Sequence, residues 1–322
     1  MSNILITSAG RRVGLAKAFT SELNAKLPDA TVYTTDLNPK ISAACSFSQK
    51  SFCMPIVTDP SYPDLLLELC IDNAIKMVVP TIDTELLILS NVKKRFCEVG
   101  IHIVVSDVEL IKACRDKRIT SELFSSLNMQ SPQIYQRENI HFPCFVKPYD
   151  GSCSVGAQVV ATEEDMTRAM NADEKLMFME LVDQSYTEFT IDAYYDLGGN
   201  LKCLVPRERI EVRGGEVSKG VTRKGDIYKY LLDKIKFIQG ARGVLTIQLF
   251  AKAGSSNYYA LEINPRFGGG YPLSYHAGAN YPSWLISEYL LGEEIQFNDD
   301  WKPDLLMLRY DSEVFVNDYP RT

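Results

Sequence analysis

The sequence contains few histidines and no closely spaced cysteine pair. Only three histidines occur among the 322 residues, namely His102, His141 and His276. This number excludes a histidine-rich metal site and argues against a histidine-based catalytic triad, so we expect any metal to have oxygen ligands. None of the eight cysteines forms a C-x-x-C pair, and most have apolar neighbours. This usage predicts buried thiols in a reducing, cytoplasmic setting.

Long apolar runs and a strong excess of one charge are missing as well. No run of 18 apolar residues occurs, which predicts no membrane-spanning helix, and the N-terminus lacks the basic region of a secretory signal. Lysine and arginine total 34 against 41 aspartates and glutamates, a net charge of −7. Such a chain lacks the basic surface that nucleic-acid binding requires. Its 46% of hydrophobic residues indicates a folded chain, and its length indicates about two domains.

The order of the predicted elements indicates two kinds of sheet. Up to about residue 110, short apolar runs alternate with helical patterns, which predicts a Rossmann-like α/β domain with a parallel sheet. From about residue 140 the strands come in hairpins, which predicts an α+β domain with antiparallel sheets. We place the limits at 1–110, 111–300 and 301–322, the last being an extension whose aromatic residues pack on the body or on a partner.

The most informative pattern is a set of three oxygen-bearing side chains, Gln248, Glu262 and Asn264. Alternation along a strand puts Glu262 and Asn264 on one face. If Ala253 opposes Asn257 across the turn, Gln248 lies opposite Glu262, with Cβ atoms about 5 Å apart. Such a group suits Mg²⁺ that is also bound by substrate phosphates. A solvated polar sheet face would give the same pattern.

Two glycine-rich segments follow charged residues. The segment 265–270 carries Arg266, and the small-residue loop 151–156 comes shortly after Lys147 at the end of an apolar strand. The backbone N–H groups of such loops can surround phosphates. The second loop lacks the order of a P-loop, and it is equally compatible with an ordinary hairpin tip.

Two further segments are compatible with nucleotide contacts. Residues 177–192 predict two strands joined by a linker, whose backbone can read the edge of adenine while a carboxylate takes the ribose hydroxyls. Asp116 is a suitable N-cap for the next helix and precedes Lys117. Each segment taken alone also fits a solvated surface.

Substrate contacts are suggested at three places. A hairpin around residues 213–216 puts Arg207 and Arg209 on one polar face, where two guanidinium groups can bind a carboxylate. Asp83 and Glu85 follow the carboxyl end of a strand, where ligands of open α/β sheets bind, and can take an amine. The turn that contains Arg11 can contact an anion. Charged solvent-facing residues or helix caps are the alternatives.

Taken in this order, the motifs resemble the ATP-grasp superfamily. The spacing Gln248…Glu262-x-Asn264-Pro265-Arg266 is similar to the metal-binding signature of the carbamoyl-phosphate synthase large chain. The resemblance covers about residues 1–300. It implies a pre-ATP-grasp domain, followed by a lid subdomain at about 120–185 with a flexible loop at 149–157, and a C-terminal subdomain at 186–300 that carries the metal site.

The resemblance also implies a role for each residue. The metal ligands would be Gln248, Glu262 and Asn264, and the catalytic residues would be Arg266 and Lys147. The ATP-binding residues would be Lys117, Lys147, Ser152, Ser154, Gly156, Glu180, Leu181, Val182 and Glu188.

The implied activity is an ATP-dependent ligase that joins a carboxylate to an amine, or to a thiol, through an acyl-phosphate. Its cofactors would be ATP and one or two Mg²⁺ ions, with Mn²⁺ as a substitute, and it would act as a homodimer without nucleic-acid or membrane partners. A carbamoyl-phosphate synthase large chain carries two ATP-grasp units and this chain carries one, so the resemblance favours single-unit ligases of amino-acid and peptide biosynthesis.

Two other functions remain open from the sequence. The first is a nucleotide-binding subunit of a split carbamoyl-phosphate-synthase-like complex, without ligase activity of its own. The second is a nicotinamide-dependent enzyme with Asp36 on the ribose, which the incomplete glycine motif around Gly10 disfavours.

Overall fold

Strand direction separates the two parts of the chain, as predicted. The computed structural model describes residues 2–151, 155–252 and 254–317. Contacts divide the chain into two units. Unit 1 comprises Met1–Val105, Asn280–Ile295 and Met307–Thr322, and unit 2 comprises Ser106–Ala279 and Gln296–Leu306.

Unit 1 is built on a five-stranded parallel sheet, with strand order β3-β2-β1-β4-β5. Its strands are β1 (Asn3–Ile6), β2 (Val32–Asp36), β3 (Lys50–Cys53), β4 (Ile75–Val79) and β5 (His102–Ile103). The helices between them are α1 (Val13–Lys26), α2 (Tyr62–Asp72) and α3 (Asp83–Glu98), with 3₁₀ turns at Pro39–Ile41 and Ala43–Phe47. The central strands β1 and β4 are buried almost throughout, as expected for a parallel sheet covered on both faces.

The first part of unit 2 is a small antiparallel sheet with order β6-β9-β7-β8. It follows helices α4 (Val108–Arg115) and α5 (Lys117–Ser126). Its strands are β6 (Ile134–Tyr135), β7 (Cys144–Pro148), β8 (Gln158–Val160) and β9 (Leu176–Glu180). The short helix α6 (Arg168–Ala172) and a 3₁₀ turn at Glu163–Asp165 lie between β8 and β9. Cys144, Val146, Val160 and Phe178 form its buried core.

The second part of unit 2 is a six-stranded sheet with order β14-β13-β10-β11-β12-β15. Its strands are β10 (Tyr186–Tyr195), β11 (Leu201–Arg213), β12 (Glu216–Thr222), β13 (Gly243–Lys252), β14 (Tyr258–Asn264) and β15 (Leu306–Leu308). The remaining helices are α7 (Asp226–Lys234), α8 (Tyr271–Ala277) and α9 (Tyr281–Leu291), of which α9 belongs to unit 1.

Side-chain alternation gives this sheet one apolar and one polar face. Ile191 of β10 pairs with Ile247 of β13, and both are fully buried. Thr190 and Gln248, each one residue away from this pair, are also opposite each other, but their side chains lie on the other face of the sheet. The candidate site lies on this polar face.

The C-terminal extension was predicted to pack on the body or on a partner, and only part of it packs on the body. Trp301 is 2% exposed and contacts the ring of Tyr228. Tyr310 and Phe315 are 82% and 89% exposed, because no described part of the chain covers them. In the described residues, no helix is both long and apolar enough to cross a membrane.

Candidate active site

The three predicted metal ligands lie side by side on two neighbouring strands. Gln248 on β13 is directly opposite Glu262 on β14, as predicted. Thr246 is opposite Asn264, which puts Asn264 two residues further along the same face. The side-chain amide of Asn264 donates a hydrogen bond to Glu262 Oε1 over 3.0 Å. Three oxygen-bearing side chains therefore meet in one patch of the sheet.

The predicted register is right at the site and wrong near the turn. Ala251 pairs with Tyr258, one residue short of the predicted partner. The register then shifts between Gln248 and Leu249, and the extra residue on β14 restores the predicted pairing. Ala253, on which the predicted register depended, lies outside the described residues.

The donor set fits a hard cation. Within the described chain, no group of three or more His, Cys, Asp or Glu side chains is arranged to hold a metal, so a cation here would need amide oxygens as well. Gln248 and Asn264 offer amide oxygens, and Glu262 offers a carboxylate. Proteins usually bind Mg²⁺ through a few oxygen ligands of their own together with the phosphates of a substrate.

Two predicted phosphate-binding lysines influence each other electrostatically, and one of them is also influenced by Glu262. Lys147, near the end of β7, has its pKa lowered by burial and by the neighbouring charge of Lys117, although Glu262 and Glu188 oppose this shift. Lys147 therefore lies within electrostatic reach of the other three groups. Lys117 begins α5, and its ammonium group donates to the carbonyl of Gly151. The predicted N-cap at Asp116 is confirmed, since its carboxylate accepts from Arg118 N over 2.9 Å.

Glu188 lies on the polar face and is held by an arginine. Its Oε1 accepts from Arg209 Nη1 over 2.6 Å. Burial raises the pKa of Glu188, while Arg209 lowers it. Arg209, which we predicted to bind a substrate carboxylate, is thus engaged with Glu188 and also with the carbonyl of Gly215 at 3.4 Å.

The linker between the two sheets of unit 2 begins at Glu180. The backbone N–H of Glu180 donates to the carbonyl of Gln133 over 2.8 Å, and its carboxylate accepts from Gln133 N over 3.1 Å. The hydroxyl of Tyr259 donates to the same carboxylate over 3.4 Å. Leu181 and Val182 follow as half-buried residues in irregular backbone, outside the ladder of any strand. The predicted adenine contact of Leu181 and Val182 stays a prediction.

Arg266 lies directly beyond the metal-ligand patch. Its Nη2 donates to Asn264 Oδ1 over 3.3 Å, and its Nη1 donates to the carbonyl of Phe267 over 3.2 Å. Its own carbonyl accepts from the hydroxyl of Thr246 over 2.8 Å. The guanidinium group is therefore next to the predicted ligands, as its predicted role on the phosphoryl group requires.

The side chain of Arg207 is buried. The predicted hairpin register is confirmed at Arg213, which is opposite Glu216, and at Arg207, which is opposite Thr222, but it shifts at Glu211, which pairs with Lys219. However, the side chain of Arg207 is only 1% exposed, because it forms a two-bond ion pair with Asp192. We had expected Arg207 to bind a substrate carboxylate, and its burial leaves no surface for that contact.

The lid loop is only partly described. Ser152 and Ser154, which we expect to contact phosphates, lie outside the described residues. Gly156 is exposed, with φ +75°, and a Cβ there would touch the ring of Pro148 at 3.4 Å. A left-handed backbone of this kind favours glycine. The predicted role of this loop therefore stays a prediction.

The candidates in unit 1 have different surroundings. Glu85 is fully buried, and its carboxylate accepts from Thr81 N over 2.7 Å, Ile82 N over 3.1 Å and the hydroxyl of Ser8 over 3.1 Å. Burial raises its pKa. Glu85 therefore caps α3 instead of reaching a substrate amine.

The other two candidates in unit 1 stay accessible. Asp83 is half-buried in the first turn of α3, and Arg11 is exposed in the turn before α1. The carboxylate of Asp36 accepts from Gly10 N over 2.9 Å and from Asn38 N over 3.3 Å. Asp36 therefore holds the loop at Gly10, which is the loop that a nicotinamide-dependent enzyme would use to bind its cofactor.

The sequence analysis assigned no role to two residues of the polar face. Phe250 is opposite Glu188, and Thr190 is opposite Gln248. Phe250 offers an apolar ring beside the carboxylate expected to bind ribose. The signal that identifies it is the two-residue spacing from Gln248, since alternate residues of a strand share a face.

Two protein-family models match separate parts of the chain. The model described as "PylC-like, N-terminal domain" matches residues 4–104. The model described as "ATP-grasp in the biosynthetic pathway with Ter operon" matches residues 172–311. The second match contains the linker residues Leu181 and Val182, the predicted ribose contact Glu188 and all three predicted metal ligands.

Individual proteins give the same picture. The 3-methyl-D-ornithine–L-lysine ligase of Methanosarcina acetivorans is 29% identical over 48% of this chain and 39% of its own length. The carbamoyl phosphate synthase large chain of Methanobrevibacter smithii is 22% identical over 72% of this chain and 24% of its own. The matched region is thus less than half of each of these curated relatives.

Among solved structures, the biotin carboxylase domain dimer of Hydrogenobacter thermophilus 2-oxoglutarate carboxylase, in complex with MgADP, ADP and bicarbonate, has a TM-score of 0.72. It is 14% identical, and the alignment covers 95% of this chain and 73% of that chain. At this identity the likeness concerns the fold, and it agrees with a parallel sheet followed by antiparallel sheets.

Proposed function

We propose that this chain, which carries an ATP-grasp domain and is similar to ATP-grasp ligases, uses ATP and Mg²⁺ to join a carboxylate to an amine. The observation that carries this proposal is the patch in which Gln248, Glu262 and Asn264 adjoin Arg266 and Lys147. It combines metal-ligand oxygens with cations, which is what phosphoryl transfer requires.

In the proposed reaction, a carboxylate oxygen attacks the γ-phosphorus of ATP, and ADP leaves with the electron pair of the broken P–O bond. The amine then attacks the acyl carbon of the acyl-phosphate, loses a proton and expels inorganic phosphate. Bound at the oxygen patch, Mg²⁺ would neutralise phosphate charge; Mn²⁺ is a proposed substitute. The protein needs no covalent nucleophile, which suits its shortage of histidine.

The residues would divide the work as follows. Lys117 and Lys147 bind phosphate oxygens, Glu188 accepts from the ribose hydroxyls, and the free backbone of Leu181 and Val182 reads adenine. Arg266 stabilises the phosphoryl group in transfer. Asp83 and Arg11 stay proposals for the amine and carboxylate of the substrates, and a homodimer stays a proposal for the assembly.

The function is tested by measuring phosphate release from ATP and Mg²⁺ with a panel of amino acids, small carboxylates and bicarbonate. We expect release that depends on one acid and increases with one amine. ATP binding without release for any acid would instead favour the nucleotide-binding subunit of a split complex. Tight binding of NAD without ATP binding would overturn the proposal.

Recognition of ribose gives a prediction within the same site. Arg209 holds Glu188 through Oε1 and leaves the other carboxylate oxygen for the ribose. We expect the wild-type protein to bind ATP roughly tenfold more tightly than 2′,3′-dideoxy-ATP, since hydrogen bonds to charged groups are worth about 1.5–3 kcal/mol. Arg209→Met will remove most of this preference, because the carboxylate of Glu188 then loses the ion pair that fixes its orientation.

Calorimetric titration with both nucleotides measures the preference. Arg223→Met is the matched control, because Arg223 also pairs with a glutamate of β11, Glu208, at 2.7 Å. It should keep the wild-type preference. An unchanged preference in the Arg209→Met protein would remove Glu188 from the ribose site.

A further inference from the structure

A buried ion pair lies on the polar face of the six-stranded sheet in unit 2. Arg207 Nε donates to Asp192 Oδ2 over 2.7 Å, and Arg207 Nη2 donates to Asp192 Oδ1 over 3.1 Å. The side chains are 1% and 0% exposed. Burying two charges costs desolvation free energy, which is offset only when the pair has good geometry and further hydrogen bonds. We therefore asked which structural role accounts for this pair.

The ion pair contacts the segment that follows Arg266. The hydroxyl of Ser274 on α8 donates to Asp192 Oδ2 over 2.6 Å. Arg207 Nη1 is buried and makes no hydrogen bond within the described residues. It lies against Gly270, where an added Cβ would come within 2.2 Å of this nitrogen. The guanidinium group therefore occupies the space that any larger residue at position 270 would need.

The other end of the same segment is held by β13. The hydroxyl of Thr246 donates to the carbonyl of Arg266 over 2.8 Å. A Cβ at Gly268 would lie 3.0 Å from the methyl group of Thr246. Residues 266–270 are thus held at one end by Thr246 and at the other by Arg207, and Arg266 in turn bonds to Asn264.

We propose that the Asp192–Arg207 ion pair supports residues 266–270, so that Arg207 is a positioning residue for Arg266 and Asn264. Arg207 touches no ligand itself. This inference rests on the proposed function for its consequence in nucleotide binding, but the support of the loop can be measured without any nucleotide.

The first test is Gly270→Ala. The new Cβ displaces the loop, because Arg207 is fixed by two bonds to Asp192 and cannot move aside. We expect Mg²⁺ to increase the affinity of wild-type protein for the non-hydrolysable analogue AMP-PNP, and this increase to fall at least fivefold in the variant. Affinity without Mg²⁺ should stay within about twofold, since Lys117, Lys147 and the proposed adenine contacts at Leu181 and Val182 lie in other elements of unit 2. Gly225→Ala is the control, because no atom lies within 4 Å of its added Cβ.

Two double variants distinguish the steric contact with Arg207 from the steric contact with other neighbours of Gly270. The added Cβ at position 270 would also lie 2.6 Å from Val217 Cγ1. Arg207→Lys keeps a positive charge but removes the nitrogen next to Gly270. We expect Gly270→Ala combined with Arg207→Lys to be no worse than Arg207→Lys alone, while Gly270→Ala with Val217→Ala stays as impaired as Gly270→Ala. Effects that simply add would overturn the proposal.

Hydrogen exchange decides the point independently of nucleotide. In Arg207→Lys and Gly270→Ala, deuterium uptake should rise in peptides covering residues 265–275 and stay unchanged elsewhere in unit 2. Unchanged uptake in these peptides, or a rise throughout the unit, overturns the positioning role. If wild-type protein shows no Mg²⁺-dependent binding of AMP-PNP, the proposed function fails while the exchange result still tests the support.

Discussion

Glu262→Gln will lower Mg²⁺-dependent ATP turnover about a thousandfold, at the upper end of the loss seen when one electrostatic group of an active site is removed. The substitution keeps the size of the side chain and its contact with Asn264, at 3.0 Å in the native protein. It removes the one carboxylate of the predicted ligand set. The remaining amide oxygens of Gln248 and Asn264 carry no charge to offset a divalent cation.

Two measurements identify the cause of this loss. Calorimetry should show that Mg²⁺ no longer strengthens the binding of AMP-PNP, and phosphate release should fall with the substrate acid present. Glu211→Gln is the control on the same sheet, where the exposed Glu211 pairs with Lys219 at 2.6 Å. It should behave like wild type. Normal turnover by Glu262→Gln would remove this residue from the metal site.

Lys147→Met will weaken ATP binding about a hundredfold, because charge-assisted bonds to phosphate are among the stronger polar contacts in proteins. The native ammonium group lies within electrostatic reach of Glu262 and Glu188. Its removal also leaves these two carboxylates without their shared cation. Lys175→Met is the control, since Lys175 is an exposed lysine of the same unit that pairs with Asp150 at 3.5 Å. Equal ATP affinity in the two variants would contradict the role of Lys147.

The pH dependence of binding gives a second reading of Lys147. Burial lowers its pKa below that of an ordinary lysine, and only the protonated form attracts phosphate. As the pH rises through this lowered pKa, the charge is lost, so ATP affinity should fall at a lower pH than an ordinary lysine would allow. Lys147→Arg should keep its affinity through the same alkaline range, because arginine stays protonated. A matching fall in both proteins would assign the effect to another group.

The fold and the metal-ligand patch follow largely from local patterns. Alternation of side chains predicts that Glu262 and Asn264 share a face, and a strand pairing brings Gln248 opposite Glu262, as the structure confirms. The change from a parallel sheet to antiparallel sheets is likewise predicted from the order of elements and confirmed. These features depend on neighbours in sequence or on one hairpin, and hairpins have few possible registers.

Features that depend on distant residues were missed or misjudged. Arg207 looked like a solvent-facing ligand, and only its pairing across the sheet shows it bound to Asp192. Glu85 looked like a contact for an amine, but Ser8 and Thr81 enclose it in the core of unit 1. In both cases, long-range packing decides whether a charged residue meets water or another side chain.

The sequence alone therefore determined the type of each sheet and the grouping of Gln248, Glu262 and Asn264, because periodicity and hairpin register are local properties. The tertiary structure alone decided which charges are buried and paired. Burial of a charge carries a desolvation cost that is offset only when its partner is in place, and the partners of Arg207 and Arg209 lie 15 and 21 residues away in the chain. As a result, Arg207 and Arg209, both predicted to bind a substrate carboxylate, instead support residues 266–270 and hold Glu188, respectively.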